Sequence, residues 1–214
     1  MPQKIVVPLA LLVCLAAAGL DAQRRAPARP AAPAAPKTVP AQVTCPEQLG
    51  TGLKTRELFC FVLAGRDPAE GVLVAIPPHT GPATLRFDLH NRHTYSEEEV
   101  KAGRGFAKHT AVVGILTMAG DLLGRGAVQT EFRTAGDLYD RITGGAGPGG
   151  TKAVAPLGRE QVVATIPAGV EQVSVLGELL DATTSAGREI ATPGRPVAII
   201  SNVEVEYRPA AGRR

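Results

Sequence analysis

The 214-residue sequence contains no Trp, two Met and three Cys, and aromatic residues make up 4% of it. Proteins that bind carbohydrates by stacking need exposed aromatic rings, so few residues are available for that role. Tyr207 belongs to an alternating apolar pattern that places its side chain on a buried strand face. Tyr95 and Tyr139 are therefore the two candidate platforms for a ligand.

Sequence motifs for nucleophilic catalysis and phosphate binding are also missing. No Gly-x-Ser-x-Gly occurs, which is the motif of one large class of hydrolases. The Gly-rich segment 144–152 ends in Thr-Lys, the reverse of the P-loop order, and lacks the flanking strand and helix. We interpret it as a connection between strands that could form a ligand-binding loop with Gly147, Lys152, Tyr95 and Tyr139. The sequence predicts no cofactor.

No apolar run is long enough for an ordinary membrane anchor, which needs about 20 residues. The run from Ile5 to Ala18 follows Lys4 and is typical of a secretory signal peptide, with cleavage expected after Ala22. A lipoprotein signal is the alternative because Cys14 lies in the run, but the residues before this Cys do not fit that pattern. We expect residues 1–22 to be removed and the protein to be periplasmic or secreted, not an integral membrane protein.

A Pro/Ala-rich segment follows the signal. The 16 residues from Ala26 to Ala41 include 7 Ala and 5 Pro, a composition that favours polyproline II and cannot form a packed core. We expect residues 23–42 to be a disordered linker that acts either as a spacer or as a tail without a function.

The positive charge is concentrated at the N-terminus. The whole chain has a formal charge of +3, residues 1–42 carry +4, and residues 43–214 carry −1. Binding to nucleic acid needs clustered Lys and Arg on the folded surface. We therefore expect no nucleic-acid partner.

Two cysteines, Cys45 and Cys60, remain after cleavage of the signal. In an oxidising compartment such a pair forms a disulfide, which contributes about 3 kcal/mol in the chain-entropy model. A metal-bound or reactive thiol pair is the competing interpretation, but no second Cys or His cluster supports it.

Residues 43–214 show the period-two alternation of half-buried strands, as in Leu85-x-Phe87-x-Leu89 and Val203-x-Val205-x-Tyr207. Helical signals are sparse. Short helices are expected after Ser96, at 135–142, and between residues 46 and 58, where the disulfide would join the helix ends. The pattern predicts an all-β fold, a single jelly-roll-like antiparallel sandwich of about eight or nine strands with one or two short helices.

One cluster of residues could bind a metal. Asp88 and His90 share a face of a predicted strand, and His93 follows where that strand ends, so the three could form a metal site if His93 turned back. The competing interpretation places them in solvent on the outer face of a sheet.

The leading functional hypothesis is an exported, non-catalytic β-sandwich that binds an unknown protein or component of the bacterial cell envelope through its loops. A secreted hydrolase or metal-binding protein that uses Asp88, His90 and His93 is the alternative. A structural protein that associates through edge strands is the third hypothesis.

Overall fold

A computed structural model describes residues 34–146 and 152–210. These residues form fifteen strands, the helix α1 (Glu97–Lys101) and two single-turn 3₁₀ helices, Pro68–Glu70 and Ala135–Asp137. The strands are β1 Lys37–Pro40, β2 Gln42–Thr44, β3 Gln48–Thr51, β4 Leu58–Leu63, β5 Val72–Ala75, β6 Ala83–Asn91, β7 His93–Tyr95, β8 Ala107–Thr117, β9 Leu122–Phe132, β10 Leu138–Ala146, β11 Lys152–Pro156, β12 Glu160–Ile166, β13 Gln172–Thr184, β14 Gly187–Ile190 and β15 Pro196–Tyr207.

The strands form three antiparallel sheets. The first sheet has the order β12-β6-β15-β4-β3, with β1 paired to the end of β15, and the second has the order β2-β5-β13-β8-β9, with β14 paired to β13. A smaller cover sheet has the order β10-β11-β7. The all-β, antiparallel, sandwich-like fold predicted from the alternation is confirmed, although the described residues contain more strands than expected.

The main core lies between the first and second sheets. The alternating residues Leu85, Phe87 and Leu89 of β6 point into it and are fully or almost fully buried, as are Val113 and Ile115 of β8. The alternation of apolar and polar residues therefore arises as predicted, because successive side chains of a strand face opposite sides of the sheet.

The cover sheet packs on the opposite face of the first sheet. Its side chains Ile142 and Ala155 form a second cluster with Phe59 and Ile199 of the first sheet. This third layer explains why side chains on both faces of β6 and β15 are buried. The expectation that Asp88 and His90 lie in solvent on an outer face is wrong, because this layer covers that face.

Small residues let β9 pack closely beneath β12. A Cβ atom at Gly126 would lie 2.4 Å from a methyl group of Val162, whereas one at Gly124 would find its nearest neighbour, Ala164, at an ordinary 3.6 Å. Gly126 is therefore required for the close approach of these two strands, and Gly124 is not.

Predicted helices are right at one position and wrong at two. Ser96 caps α1, its hydroxyl accepting a hydrogen bond from the Glu99 N–H. Residues 135–142 form one 3₁₀ turn and then the start of β10, and residues 46–58 contain β3 in place of a helix. In both segments the backbone N–H and C=O groups form hydrogen bonds with neighbouring strands. These tertiary contacts outweigh the local helix propensity and determine the secondary structure.

The Cys45–Cys60 disulfide is present, and it joins the segment before β3 to the middle of β4. It thus closes the β3–β4 hairpin, in which Gln48 lies opposite Cys60, and does not join the ends of a helix.

The ordered domain extends further towards the N-terminus than residue 43. Lys37–Pro40 pairs with β15 and Gln42–Thr44 pairs with β5, so residues 37–40 and 42 of the expected linker lie in strands. Proline is tolerated in β1 because this strand lies at the edge of the sheet. The N–H groups on the outer side of an edge strand pair with no other strand, so the missing N–H of proline breaks no hydrogen bond there. The predicted signal peptide and residues 23–33 lie outside the described residues.

Candidate functional site

Tyr139, at the start of β10, is the centre of the candidate site. Its half-buried ring stacks on His90 of β6 with the ring centres 5.4 Å apart. The guanidinium carbon of Arg159 lies 4.7 Å from the centre of the Tyr139 ring, and the ammonium nitrogen of Lys54 lies 5.8 Å from it. The Arg159 side chain also donates a hydrogen bond from Nη1 to the Tyr139 hydroxyl. Tyr139 therefore lies between a neutral imidazole and two cations.

The turn between β3 and β4 places Lys54 beside this ring because Asp140 holds the turn. The Asp140 carboxylate accepts hydrogen bonds from the N–H groups of Lys54 and Thr55 at 3.0 and 2.9 Å, and from the Thr55 hydroxyl at 2.7 Å. A Cβ atom at Gly52 would lie 2.2 Å from this carboxylate, so glycine is needed there for the close approach. Burial alone would raise the pKa of Asp140, but the hydrogen bonds outweigh it and lower the pKa.

A chain of three polar side chains lies beside the Tyr139 ring. The Ser201 hydroxyl donates to the Glu57 carboxylate at 2.7 Å, and His90 Nε2 lies 3.1 Å from the same hydroxyl oxygen. Because the serine proton goes to the carboxylate, His90 Nε2 is the donor in the second bond. Burial, assisted by the charge of Arg159, lowers the pKa of His90 to about 4, so the ring is neutral at pH 7.

A β-bulge in β15 brings a further amide to this cluster. The register with β6 shifts between Ser201 and Glu204, and Asn202 adopts a positive φ of 49° there. Asparagine tolerates this left-handed conformation better than most residues do. The Asn202 side-chain N–H₂ and the Arg159 Nε both lie 3.5 Å from the buried Asp88 carboxylate. The negative charge of Asp88 is thus compensated by an amide donor and a guanidinium.

The order of the Glu57–Ser201–His90 chain differs from that of a serine hydrolase. In such an enzyme the histidine accepts the serine proton and the carboxylate bonds to the histidine. Here the carboxylate bonds to the serine, and both Ser201 and His90 are fully buried. These hydrogen bonds therefore join Glu57, which directly precedes β4, to Ser201 of β15 and His90 of β6 beside Tyr139.

A cleft of about 290 Å³ opens at the surface beside Tyr139. We call it the Tyr139 cleft; it is lined by Leu53, Lys54, Ala135, Leu138, Tyr139, Asp140 and Arg141. Lys54, which lines the cleft, and Arg159, whose guanidinium lies over the Tyr139 ring, are exposed. The carboxylates of Asp140, in the lining, and of Asp88, beside Arg159, are buried. Arg159 forms an ion pair with Asp88, whereas Lys54 forms no ion pair within residues 34–146 and 152–210. The cleft thus presents positive charge outwards and keeps negative charge beneath.

A larger groove of about 720 Å³ lies elsewhere, between the loop after β4 and the strand β13. It has an apolar floor that includes Leu116 and Leu176. Two of its acidic side chains already have partners: Glu178 pairs with Arg125 at 2.6 Å, and Asp67 caps a 3₁₀ turn.

The structure separates the three residues of the predicted metal site. Asp88 and His90 share one face of β6, as expected, but the His93 ring packs against Phe132 and His109, with ring centres 4.1 and 5.9 Å away. In the described part of the chain, no three His, Cys, Asp or Glu side chains are grouped to hold a metal.

The predicted ligand-binding loop is also divided. Tyr139 lines the cleft, but Tyr95 is buried, with its ring against Phe132 and beneath the guanidinium of Arg141. Lys152 begins β11 opposite Tyr95. Gly147 lies outside the described residues.

Sequence reasoning did not identify Glu57, Ser201, Arg159 or Lys54. Ser201 carried one signal, because a lone hydroxyl after the apolar run Val197–Ile200 must find a partner if the strand is buried. The others lie in turns or at a strand end, and only the packing of the cover sheet brings them together.

The comparisons with known proteins assign this chain to no family. No protein-family model and no curated protein matches it. A solved structure described as the catalytic domain of a GH87 alpha-1,3-glucanase in complex with nigerose matches 85% of this chain and 30% of its own chain at 12% identity, with a TM-score of 0.23. A TM-score this low carries no conclusion about the fold or function of this chain. Among the described residues, no helix is long and apolar enough to cross a membrane.

Proposed function

We propose that the protein is exported and that its sandwich binds an anionic component of the bacterial cell envelope at the Tyr139 cleft. The observation that carries the proposal is the arrangement of Lys54 and Arg159 over the half-buried Tyr139 ring, with Arg141 also lining the cleft, above carboxylates that are buried and hydrogen-bonded. The shared ligand chemistry is a carboxylate or phosphate group.

Charge-assisted hydrogen bonds explain why such a group would bind. Arg and Lys donate to carboxylate or phosphate oxygens in bonds that contribute about 1.5–3 kcal/mol each. The Tyr139 hydroxyl accepts a bond from Arg159, so its own proton is available to a ligand. Burial, with the carboxylates of Glu57 and Asp88, raises the pKa of Tyr139, which keeps this proton in place at neutral pH.

Rigid support makes the cleft suited to recognition. His90, Ser201 and Glu57 fix the ring from beneath, and Asp140 fixes the turn that carries Lys54. A ligand then meets side chains that are already ordered, so less entropy is lost on binding.

The basic N-terminal segment would add a second, less specific attraction. Arg24, Arg25 and Arg29 lie in it, and clustered basic residues are attracted to anionic surfaces in a salt-dependent way. A deletion that removes this contribution should end at residue 36, because Lys37–Pro40 is a strand of the first sheet.

Co-sedimentation tests the proposal with two defined anionic surfaces. The full chain is mixed with purified peptidoglycan sacculi, which carry carboxylates, and with phosphatidylglycerol vesicles, which carry phosphates. We expect saturable binding to at least one of them. The double variant Lys54→Gln/Arg141→Gln should weaken it about tenfold or more, because two charge-assisted bonds are lost.

A matched variant controls for net charge. Arg66→Gln/Lys101→Gln removes the same charge from exposed positions outside the cleft and should change binding less than about twofold. An equal loss in both variants, or no binding to either surface, contradicts the proposal. The deletion of residues 23–36 shows how much of the affinity belongs to the N-terminal segment.

A further inference from the structure

His93 of β7 and His109 of β8 form a second histidine cluster, and neither residue lines the Tyr139 cleft. Their ring centres lie 5.9 Å apart, with the rings nearly perpendicular at 77°. An imidazole nitrogen lies about 2.1 Å from a bound metal ion, so two imidazoles that share a metal have ring centres roughly 5–6 Å apart. The observed separation is in that range.

The hydrogen bonding of His109 leaves one ring nitrogen available. The side chain is 93% buried, since only 7% of its surface is exposed. Within the described residues its Nδ1 is buried and has no hydrogen-bond partner. This nitrogen can therefore present its lone pair to a metal ion when the ring is neutral.

We propose that His93 and His109, through Nδ1 of His109, form a two-imidazole site for a late transition-metal ion, with Cu²⁺ bound most tightly. Imidazole is a preferred ligand of Cu²⁺, Ni²⁺ and Zn²⁺, and affinity rises to a maximum at Cu²⁺ in this series. Since no third His, Cys, Asp or Glu is grouped with this pair in the described residues, water completes the coordination. This site is independent of the Tyr139 cleft.

A surface cleft reaches His93. His93 lines a cleft of about 400 Å³ together with Ser96, Glu98, Glu99 and Arg104. Glu99 is paired with Arg104. Burial lowers the pKa of both imidazoles to about 4, and each is further lowered by a neighbouring positive charge. Both lone pairs are therefore free of protons at neutral pH, as metal binding requires.

Two charged neighbours tune the site in opposite directions. The positive charge of Arg92 lowers the pKa of both histidines, and Glu189, which pairs with Arg92, raises that of His109. A bound cation feels the same fields as a proton. Arg92→Gln should therefore tighten metal binding, and Glu189→Gln should weaken it.

Titration of the untagged full chain with Cu²⁺ and, separately, Zn²⁺ at pH 7 tests the proposal. Calorimetry should show one saturable site, with Cu²⁺ bound more tightly than Zn²⁺. His109→Asn and His93→Asn should each weaken Cu²⁺ binding at least tenfold. His79→Asn is the matched control, because His79 is held by the carbonyls of Pro77 and Pro167, and it should change binding less than twofold.

Electron paramagnetic resonance of wild-type protein with one equivalent of Cu²⁺ protects the test against variants that fail to fold. We expect the hyperfine pattern of two imidazole nitrogens. A pattern with no imidazole nitrogen or only one, Cu²⁺ affinity that stays within twofold in both histidine variants, or tighter binding in Glu189→Gln than in Arg92→Gln would overturn the proposal.

Discussion

Acid should destabilise this domain between pH 7 and pH 4, because its buried histidines must become charged there. His90 is the clearest case: it is fully buried, its Nε2–H donates to Ser201, and its pKa is lowered from 6.5 to about 4. The unfolded chain binds a proton at this residue near pH 6.5, whereas the folded chain does so only near pH 4. The stabilisation is therefore present above pH 6.5 and is lost as the pH falls towards 4.

The magnitude follows from the shift. One pKa unit corresponds to about 1.4 kcal/mol, so the free energy of unfolding falls by about 2 kcal/mol at pH 5 and by roughly 3 kcal/mol below pH 4 on account of His90 alone. His93 and His109 carry similar shifts, but they contact each other and their effects will not add fully. The combined loss is a large part of the total stability of a typical domain, about 5–15 kcal/mol.

Urea unfolding followed by circular dichroism at pH 7 and pH 5 measures this effect. In His90→Gln the difference in unfolding free energy between the two pH values should shrink by about 2 kcal/mol, because the titrating group is gone. In the control Gln161→Ala, which changes an exposed side chain that does not titrate, this difference should be unchanged. Equal pH dependence in wild type and His90→Gln would show that burial of His90 is not the cause of the acid destabilisation.

Three further tests concern the packing of the domain. Asp140→Ala leaves two turn N–H groups without their acceptor and should cost about 2–4 kcal/mol by urea unfolding, together with weaker anion binding, because Lys54 loses its position. Gly126→Ala places a Cβ 2.4 Å from a valine methyl group and should cost about 1–3 kcal/mol, whereas Gly124→Ala should cost less than 1 kcal/mol; equal costs would contradict the packing described. Reduction of the disulfide should lower the unfolding free energy by about 3 kcal/mol, and unchanged urea midpoints would contradict its role.

The strands were predictable because their signal is local. Alternation at Leu85–Leu89 and Val203–Tyr207 depends only on which face of a strand meets a core, and the cap at Ser96 depends on its own hydrogen bond. Strand β1 was missed because the Pro/Ala composition around it favours an extended, unpaired chain, and pairing with β15 is a long-range contact.

The site was only partly predictable. The sequence placed Asp88 and His90 on one face and indicated Tyr139 as a ligand contact, but it could not show that a third sheet covers that face. The contacts between Glu57 and Ser201 and between Arg159 and Tyr139 span residues distant in sequence, so no spacing rule applies to them.

A nuclear magnetic resonance titration of the full chain with inorganic phosphate tests anion binding at the Tyr139 cleft, because backbone amide shifts locate the bound anion. We expect saturable shifts at Lys54, Thr55, Tyr139 and Arg141 that disappear in Lys54→Gln/Arg141→Gln. Shifts concentrated at the groove near Arg66, or no saturable shifts in the Tyr139 cleft, would contradict the proposal.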